Sequence, residues 1–448
     1  MGKRILISAL LIMLAIVVVV AGATLLFQTN YQSLETQTQL QSSVAAAPSA
    51  AQPSAFGNLT SPQSVPEVAE NSDGYEEVPA DVPGDVPDIT TEPVEADENI
   101  ALAEAKVSEM TLEEKICQML FVTPEALTGY SKVTQSGSAT QSAYNEYPVG
   151  GLIYFADNLV TMDQTTQMIS NVQDYARERS GFGLFIGVDE EGGSVARLAD
   201  NLGTTEFEDM AVYGAEGNPD KAYEVGFTIA EDMRSLGFNV DFAPVADVLT
   251  NADNTVVKDR SFGSDPELVS NMVTQEVRGF VDGGVLCAPK HFPGHGSTGG
   301  DTHDGLAASS RTMEELRACD LLPFSAAKAA GAPMIMVGHM TMTEIDPDNP
   351  ASLSSAIVNG ILRAQMDYNG IIITDSLNMG AITELYDSGE ASVKAIEAGC
   401  DMLLCVSSVS TAVNAVTDAV ASGRITEQRI NESVVRILAA KYQYGIAS

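Results

Sequence analysis

"LFIGVDEEGGSVAR", residues 184–197, is a near-continuous apolar run, Leu184 to Val188, that stops abruptly at three carboxylates, Asp189, Glu190 and Glu191. A strand with no polar alternation has no wet face. It belongs in a sheet covered on both sides, and such sheets are mostly parallel. Working outward, the same texture recurs at Met119–Val122, Gly151–Phe155, Val240–Phe242, Val285–Ala288, Met334–Val337, Ile371–Ile373 and Met402–Cys405, which makes eight runs in all. Between most of them lie amphipathic stretches with helical spacing, such as "TMDQTTQMISNVQDYARER", "PDKAYEVGFTIAEDMRSLG" and "DPELVSNMVTQEVRGFVDGG". Thr111 with Glu114 three residues later marks a helix start. Eight apolar strands alternating with helices predict an α/β fold, a closed (β/α)8 TIM-like barrel, with an open doubly wound sheet as the alternative. No GxGxxG follows the first run, which weighs against a dinucleotide-binding version.

In such a barrel the chemistry sits at the C-terminal strand ends. Asp189, Glu190, Glu191 and Arg197 follow the third run, Lys290 and His291 the fifth, His339 the sixth, and Thr374 and Asp375 the seventh. Polar residues bound any strand, because loops are wet. Charged residues on several separate strand ends, however, can converge on one pocket. The loop "KHFPGHGSTGGDTHDGL", residues 290–306, holds three of the chain's four histidines. Three readings apply to it. Metal ligation would need His291, His295, His303 and Asp301, but H-x3-H-x7-H matches no compact zinc spacing. Acid/base work would use Asp301 and His303 as a pair on a Gly-rich, movable loop, the carboxylate orienting the imidazole and favouring its protonated form. A plain turn needs no chemistry at all, and His295, between two glycines, fits that reading.

The 448 residues carry a formal net charge of -38, which argues against a nucleic-acid partner, since phosphate would be repelled. Much of that charge is local: residues 31–100 contain 13 Asp and Glu and no Lys or Arg. This stretch is rich in Gln, Ser, Ala and Pro and reads as a disordered acidic linker. Before it, Lys3 and Arg4 precede an apolar run from Ile5 to Phe27, within residues 1–30. As a helix that run would span roughly 34 Å, enough for a bilayer, with its basic flank cytoplasmic and the remainder exported. A signal peptide cleaved near Ala21-Gly22-Ala23 is the alternative. Five scattered cysteines are no disulfide framework and read as buried thiols. The catalytic domain is expected over residues 101–448.

"VDEEGGSVARL", "FAPVADV", "DRSFG", "KHFPGHG…DTH" and "IITDSLNM" occur in that order and resemble the signatures of glycoside hydrolase family 3, in its single-barrel β-N-acetylhexosaminidase branch. The resemblance covers roughly residues 105–445. It implies a retaining exo-β-N-acetylglucosaminidase acting on cell-wall or chitin-like oligosaccharides, needing no cofactor and no metal. Asp375 matches the family's nucleophile, His303 its acid/base and Asp301 the partner of that histidine. Asp189, Arg197, Arg260, Lys290 and His291 match its sugar contacts; the residues themselves gave no reason to single out Arg260. Thr302 stands where the branch more often has Ser. The chain ends soon after its last helix, which favours the histidine-dependent branch over the two-domain β-glucosidases. A family 3 phosphorylase and a non-catalytic anchored glycan-binding protein are the other readings. Oligomeric state is not legible in the sequence.

Overall fold

The structure, a computed structural model, describes residues 93–299 and 307–447. Each apolar run contains one strand: β1 (Leu120–Val122), β2 (Gly151–Ile153), β3 (Phe185–Val188), β4 (Val240–Asp241), β5 (Leu286–Cys287), β6 (Met334–Val337), β7 (Ile371–Thr374) and β8 (Leu403–Leu404). A continuous parallel ladder runs β8-β1-β2-β3-β4-β5, and β6 pairs parallel with β7. Two parallel bridges, Phe292↔Val337 and Ile373↔Met402, carry the pairing from the end of β5 to β6 and from β7 to β8. The circuit therefore returns to its start. An open sheet would leave two edges; this wall leaves none, so the fold is the TIM-like barrel.

Side-chain volume sets the local packing. Phe121 of β1 lies across Gly151 of β2 and against Gly187 of β3, with its ring 5.2 Å from that of Phe242 just beyond β4. A Cβ on either glycine would meet the Phe121 ring at 2.8 Å, so only glycine fits there. At least one helix follows every strand. Their starts are written in the sequence. Thr111 Oγ1 accepts the Glu114 N–H at 3.3 Å while Glu114 accepts the Thr111 N–H at 3.0 Å, a reciprocal cap on Leu112–Gln118. Thr161 and Gln164 repeat the arrangement at Met162–Ser180, and Asn218 and Asp265 cap Pro219–Leu236 and Pro266–Asp282. All five cysteines are free, and four are buried.

One boundary differs from the sequence reading. The first described helix, Pro93–Glu109, begins inside the stretch read as irregular up to residue 100. Its composition turns to Ala and Glu, which favour helix, and Ala103 and Val107, one turn apart, are buried where it packs on the terminal helix Glu427–Gln443. The expected anchor at Ile5–Phe27 and the rest of the linker lie outside the described residues. Among the described residues no helix is long and apolar enough to cross a membrane.

The N-terminal ends of the strands are tied structurally. Asp401, just before β8, is fully buried and accepts from Arg363 at 2.7 Å, Arg436 at 3.0 Å and Ser433 at 2.7 Å, and from the Ile372 N–H at 2.9 Å. These donors and cations hold its carboxyl below the usual range even though burial alone would raise it. A cavity of about 700 Å³ opens at this same end, between Pro93–Glu109 and Glu427–Gln443, with Pro333 and Ile371 in its lining. It is lined by none of the residues expected to carry the chemistry.

Candidate active site

The barrel's closure brings the strand-end residues together. Lys290 lies just past β5, and its Nζ reaches Asp189 Oδ1 at 2.7 Å and Glu191 Oε1 at 2.6 Å. Glu191 in turn takes a two-pronged contact from Arg260, with Nε and Nη2 each 2.7 Å from one carboxylate oxygen. A tight turn makes this possible. Glu190–Gly192 pairs antiparallel with Val195–Ala196 across the Gly192-Gly193 bend, where both glycines take positive φ. The chain Asp189–Lys290–Glu191–Arg260 balances two carboxylates against two cations. Burial works against the Glu191 anion, yet Lys290 and Arg260 hold its carboxyl well below the usual range. Burial likewise opposes the Lys290 ammonium, yet Asp189 and Glu191 raise it above the ordinary lysine value. Asp189, at the outer end, keeps one fifth of its side chain exposed and can meet a ligand.

Glu190 points the other way. Buried, it accepts the Leu198 N–H at 2.6 Å and the Ala199 N–H at 3.1 Å, and burial pushes its carboxyl up to about 7. Arg197 opens the short helix Arg197–Leu202. Among the described residues its guanidinium makes no ion pair, so the structure does not join it to the Lys290 network as it joins Arg260. Asp241, at the end of β4, is fully buried and accepts the Glu190 N–H at 3.0 Å; burial drives its carboxyl well above the usual range.

His291 is held by a residue that sequence reasoning missed. Asp247, fully buried beyond β4, has Oδ2 2.8 Å from His291 Nδ1, and its Oδ1 accepts the His295 N–H at 2.6 Å. A carboxylate there fixes the proton on Nδ1 and leaves Nε2 as the ring's second polar atom. His295 is a core hydrogen-bonder, with Nδ1 3.1 Å from Thr298 Oγ1, and burial lowers its affinity for a proton. The loop expected to carry Asp301 and His303 is described only in its first half, which is closely packed. Residues from Lys290 to Thr298 are almost all buried, and a Cβ on Gly296 would lie 2.0 Å from the Val248 carbonyl oxygen. Here glycine serves close backbone packing, not freedom. Asp301 and His303 lie outside the described residues.

Asp375 follows β7, held by its N–H to the Val337 carbonyl at 2.8 Å. Its Oδ1 accepts the Ser376 N–H at 2.7 Å. Burial raises its carboxyl, but His339, His291, the Ser376 amide and Lys290 outweigh that and hold it below the usual range. Asp375 is thus poised as an anion beside a balanced network of cations and carboxylates. Among the described residues no three His, Cys, Asp or Glu side chains gather as a metal site.

A closed parallel barrel whose strand ends collect a stabilised carboxylate, a carboxylate-held imidazole and a two-cation network is a barrel-enzyme site suited to a hydroxyl-rich ligand. Residues 111–440 match the family model described as the glycosyl hydrolase family 3 N-terminal domain, and the chain belongs to glycoside hydrolase family 3. It is similar to β-hexosaminidase A of Pseudoalteromonas piscicida, 31% identical over an alignment of 322 residues that covers 66% of this chain and 54% of that protein. It is also similar to β-hexosaminidase LpqI of Mycobacterium tuberculosis, 32% identical over 67% of this chain and 78% of that protein. A solved family 3 β-N-acetylglucosaminidase from Paenibacillus sp. str. FPU-7 superposes with a TM-score of 0.71 at 37% identity, over 75% of this chain and 63% of that one. The chain therefore spans about half the length of the Pseudoalteromonas protein.

Proposed function

We propose that this chain is a retaining exo-β-N-acetylhexosaminidase that removes terminal N-acetylglucosamine from cell-wall or chitin-like oligosaccharides. Asp375 attacks the anomeric carbon as His303 gives its proton to the departing glycosidic oxygen. The covalent glycosyl-enzyme then breaks when water, losing a proton to His303, takes the sugar from Asp375. Asp301 orients His303. Asp189, Lys290 and His291 bind sugar hydroxyls; Arg260 acts on them through Glu191, and Arg197 meets the ligand from the edge. The observation that carries this reading is the Asp375 carboxylate fixed at the end of β7, its N–H on the Val337 carbonyl and its Oδ1 on the Ser376 N–H, in a barrel whose other strand ends hold the Lys290 network. The names of the relatives supply the N-acetylhexosamine. Ile5–Phe27 anchors the enzyme on the exported side of a membrane, and protease treatment of intact cells that left the barrel uncut would refute that placement.

A panel of chromogenic β-glycosides, assayed with and without phosphate, tests the activity. The β-N-acetylglucosaminide is the expected best substrate, with no acceleration by phosphate, and Asp375→Ala removes turnover on every substrate. Phosphate-dependent turnover would make the protein a phosphorylase. No turnover of any glycoside by the full chain, with sugar binding retained, would make it a binder.

A further inference from the structure

His339 has no role in the reading above, yet it stands beside the residue that reading makes the nucleophile. The β6–β7 register pairs Val337 with Thr374, so the residues just past each strand, Gly338–His339 and Asp375–Ser376, emerge side by side. His339 is fully buried. Its Nε2 is 2.9 Å from the Ser376 carbonyl oxygen and its Nδ1 is 2.7 Å from Ser352 Oγ. A carbonyl only accepts, so Nε2 must carry a proton. The ring is then either neutral, with Ser352 donating to Nδ1, or cationic, donating from both nitrogens.

Ser376 is gripped on both of its peptide groups. Its N–H donates to Asp375 Oδ1 and its C=O accepts from His339. The Asp375 carboxylate cannot turn without giving up that N–H. The Ser376 backbone cannot move to follow it without giving up the His339 bond. Ser352 is itself fixed: it lies in the one-turn helix Ala351–Leu353, fully buried, with its N–H on the Gly338 carbonyl at 3.1 Å.

We infer that His339 is a positioning residue for the Asp375 nucleophile, braced by Ser352 and acting through the Ser376 carbonyl. The inference rests on the proposed role of Asp375. Among the described residues, the charged and titratable groups that face Asp375 are His339 from the end of β6, His291, Lys290 and His295 from beyond β5, and the Cys405 thiol from the end of β8. Of these, the Cys405 thiol also bonds Ser376, but His339 is the one that holds the Ser376 carbonyl, and its electrostatic effect favours the Asp375 anion.

Kinetics of the full chain on an activated aryl β-N-acetylglucosaminide provide the test. A misplaced reacting group costs on the order of 10²-fold, so His339→Ala should lower kcat by about that much with little change in KM. His339→Gln keeps a donor near the Nε2 position and should recover most of kcat. In both variants the acid limb of the kcat/KM profile should move to higher pH, because Asp375 loses a neighbour that favours its anion. Ser352→Ala, a milder change should His339→Ala fail to fold, should lower kcat in the same direction. The inference is overturned if His339→Ala keeps wild-type kcat, if the loss falls wholly on KM, or if His339→Gln is no better than Ala and the acid limb stays put. Should Asp375→Ala retain turnover, the nucleophile assignment itself is wrong; should it be dead while His339→Ala is normal, only the positioning role fails.

Discussion

On the proposed mechanism Asp375 and His303 should fail in different ways, because there Asp375 makes a bond to carbon and His303 only moves a proton. Losing the nucleophile stops every substrate. His303→Ala should be most damaging where the leaving group is a sugar alcohol, by roughly 10²–10⁴-fold, and much milder with an activated phenol that departs without protonation. Asp301→Ala should lie between. Rates on a series of aryl leaving groups measure the contrast, and equal slowing of good and poor leaving groups would remove His303 from proton transfer. Strand-end position was enough to flag Asp189, Lys290, His291 and Asp375 in the sequence, because an apolar run ending in charge marks where chain leaves the core. Arg260 lies in a loop far from any run, and only the family motif pointed to it; the structure explains it through Glu191. Asp247 lies inside the quoted motif "FAPVADV", yet nothing local to that motif gives it a role. Its partner His291 lies 44 residues away, and the pairing exists only because β4 and β5 are neighbours in the wall.

The strands and helices were the most legible part, for a physical reason. Strands buried on both faces show as apolar runs, and caps are local hydrogen-bonding devices with fixed spacing. What pattern reading could not place is where one element borrows its stability from a distant one. Lys441, in the terminal helix Glu427–Gln443, is such a case. It reads as a surface lysine, yet it is fully buried, its Nζ 2.9 Å from Gln118 Oε1 and about 5 Å from the rings of Phe182 and Phe185. Burial pulls its ammonium down to about 7, far below the ordinary lysine value. Between that value and the unfolded value of about 10.4, the unfolded chain holds a proton that the folded chain lacks. Stability therefore rises with pH across that window, and the penalty is felt in full below about pH 7. Lys441→Met should stabilise the barrel more at pH 6 than at pH 9, by up to about 2–3 kcal/mol of difference. The lost partner of Gln118 costs the same at both values and cancels. Thermal unfolding of both proteins at the two pH values decides it. A gain independent of pH would show that the lysine is not titrating inside the fold.

At the scale of the whole molecule, the boundary of the catalytic unit is set by packing and not by composition. The acidic, Pro-rich composition changes abruptly near Ile100, and on composition alone a cut there looks harmless. The helix Pro93–Glu109 shows otherwise, because it covers part of the terminal helix, whose Ile430, Val434 and Ile437 are buried. A chain beginning at Pro93 keeps that cover and should be as active and as heat-resistant as the full chain. A chain beginning at Thr111 keeps every residue assigned to the chemistry and the whole barrel, but it strips Ala103 and Val107 from their contacts. Burying one valine is worth roughly 1.5–3 kcal/mol and the alanine less, so the loss should be a few kcal/mol. It is also a loss from the face opposite the chemistry, where interactions serve stability. The shorter chain should therefore unfold several degrees lower while its kcat and KM at low temperature match those of the chain from Pro93. Equal thermal midpoints would mean the helix is a passive end of the linker. A fall in kcat at a temperature where the shorter chain is still folded would mean that this end of the barrel is coupled to Asp375 at the other.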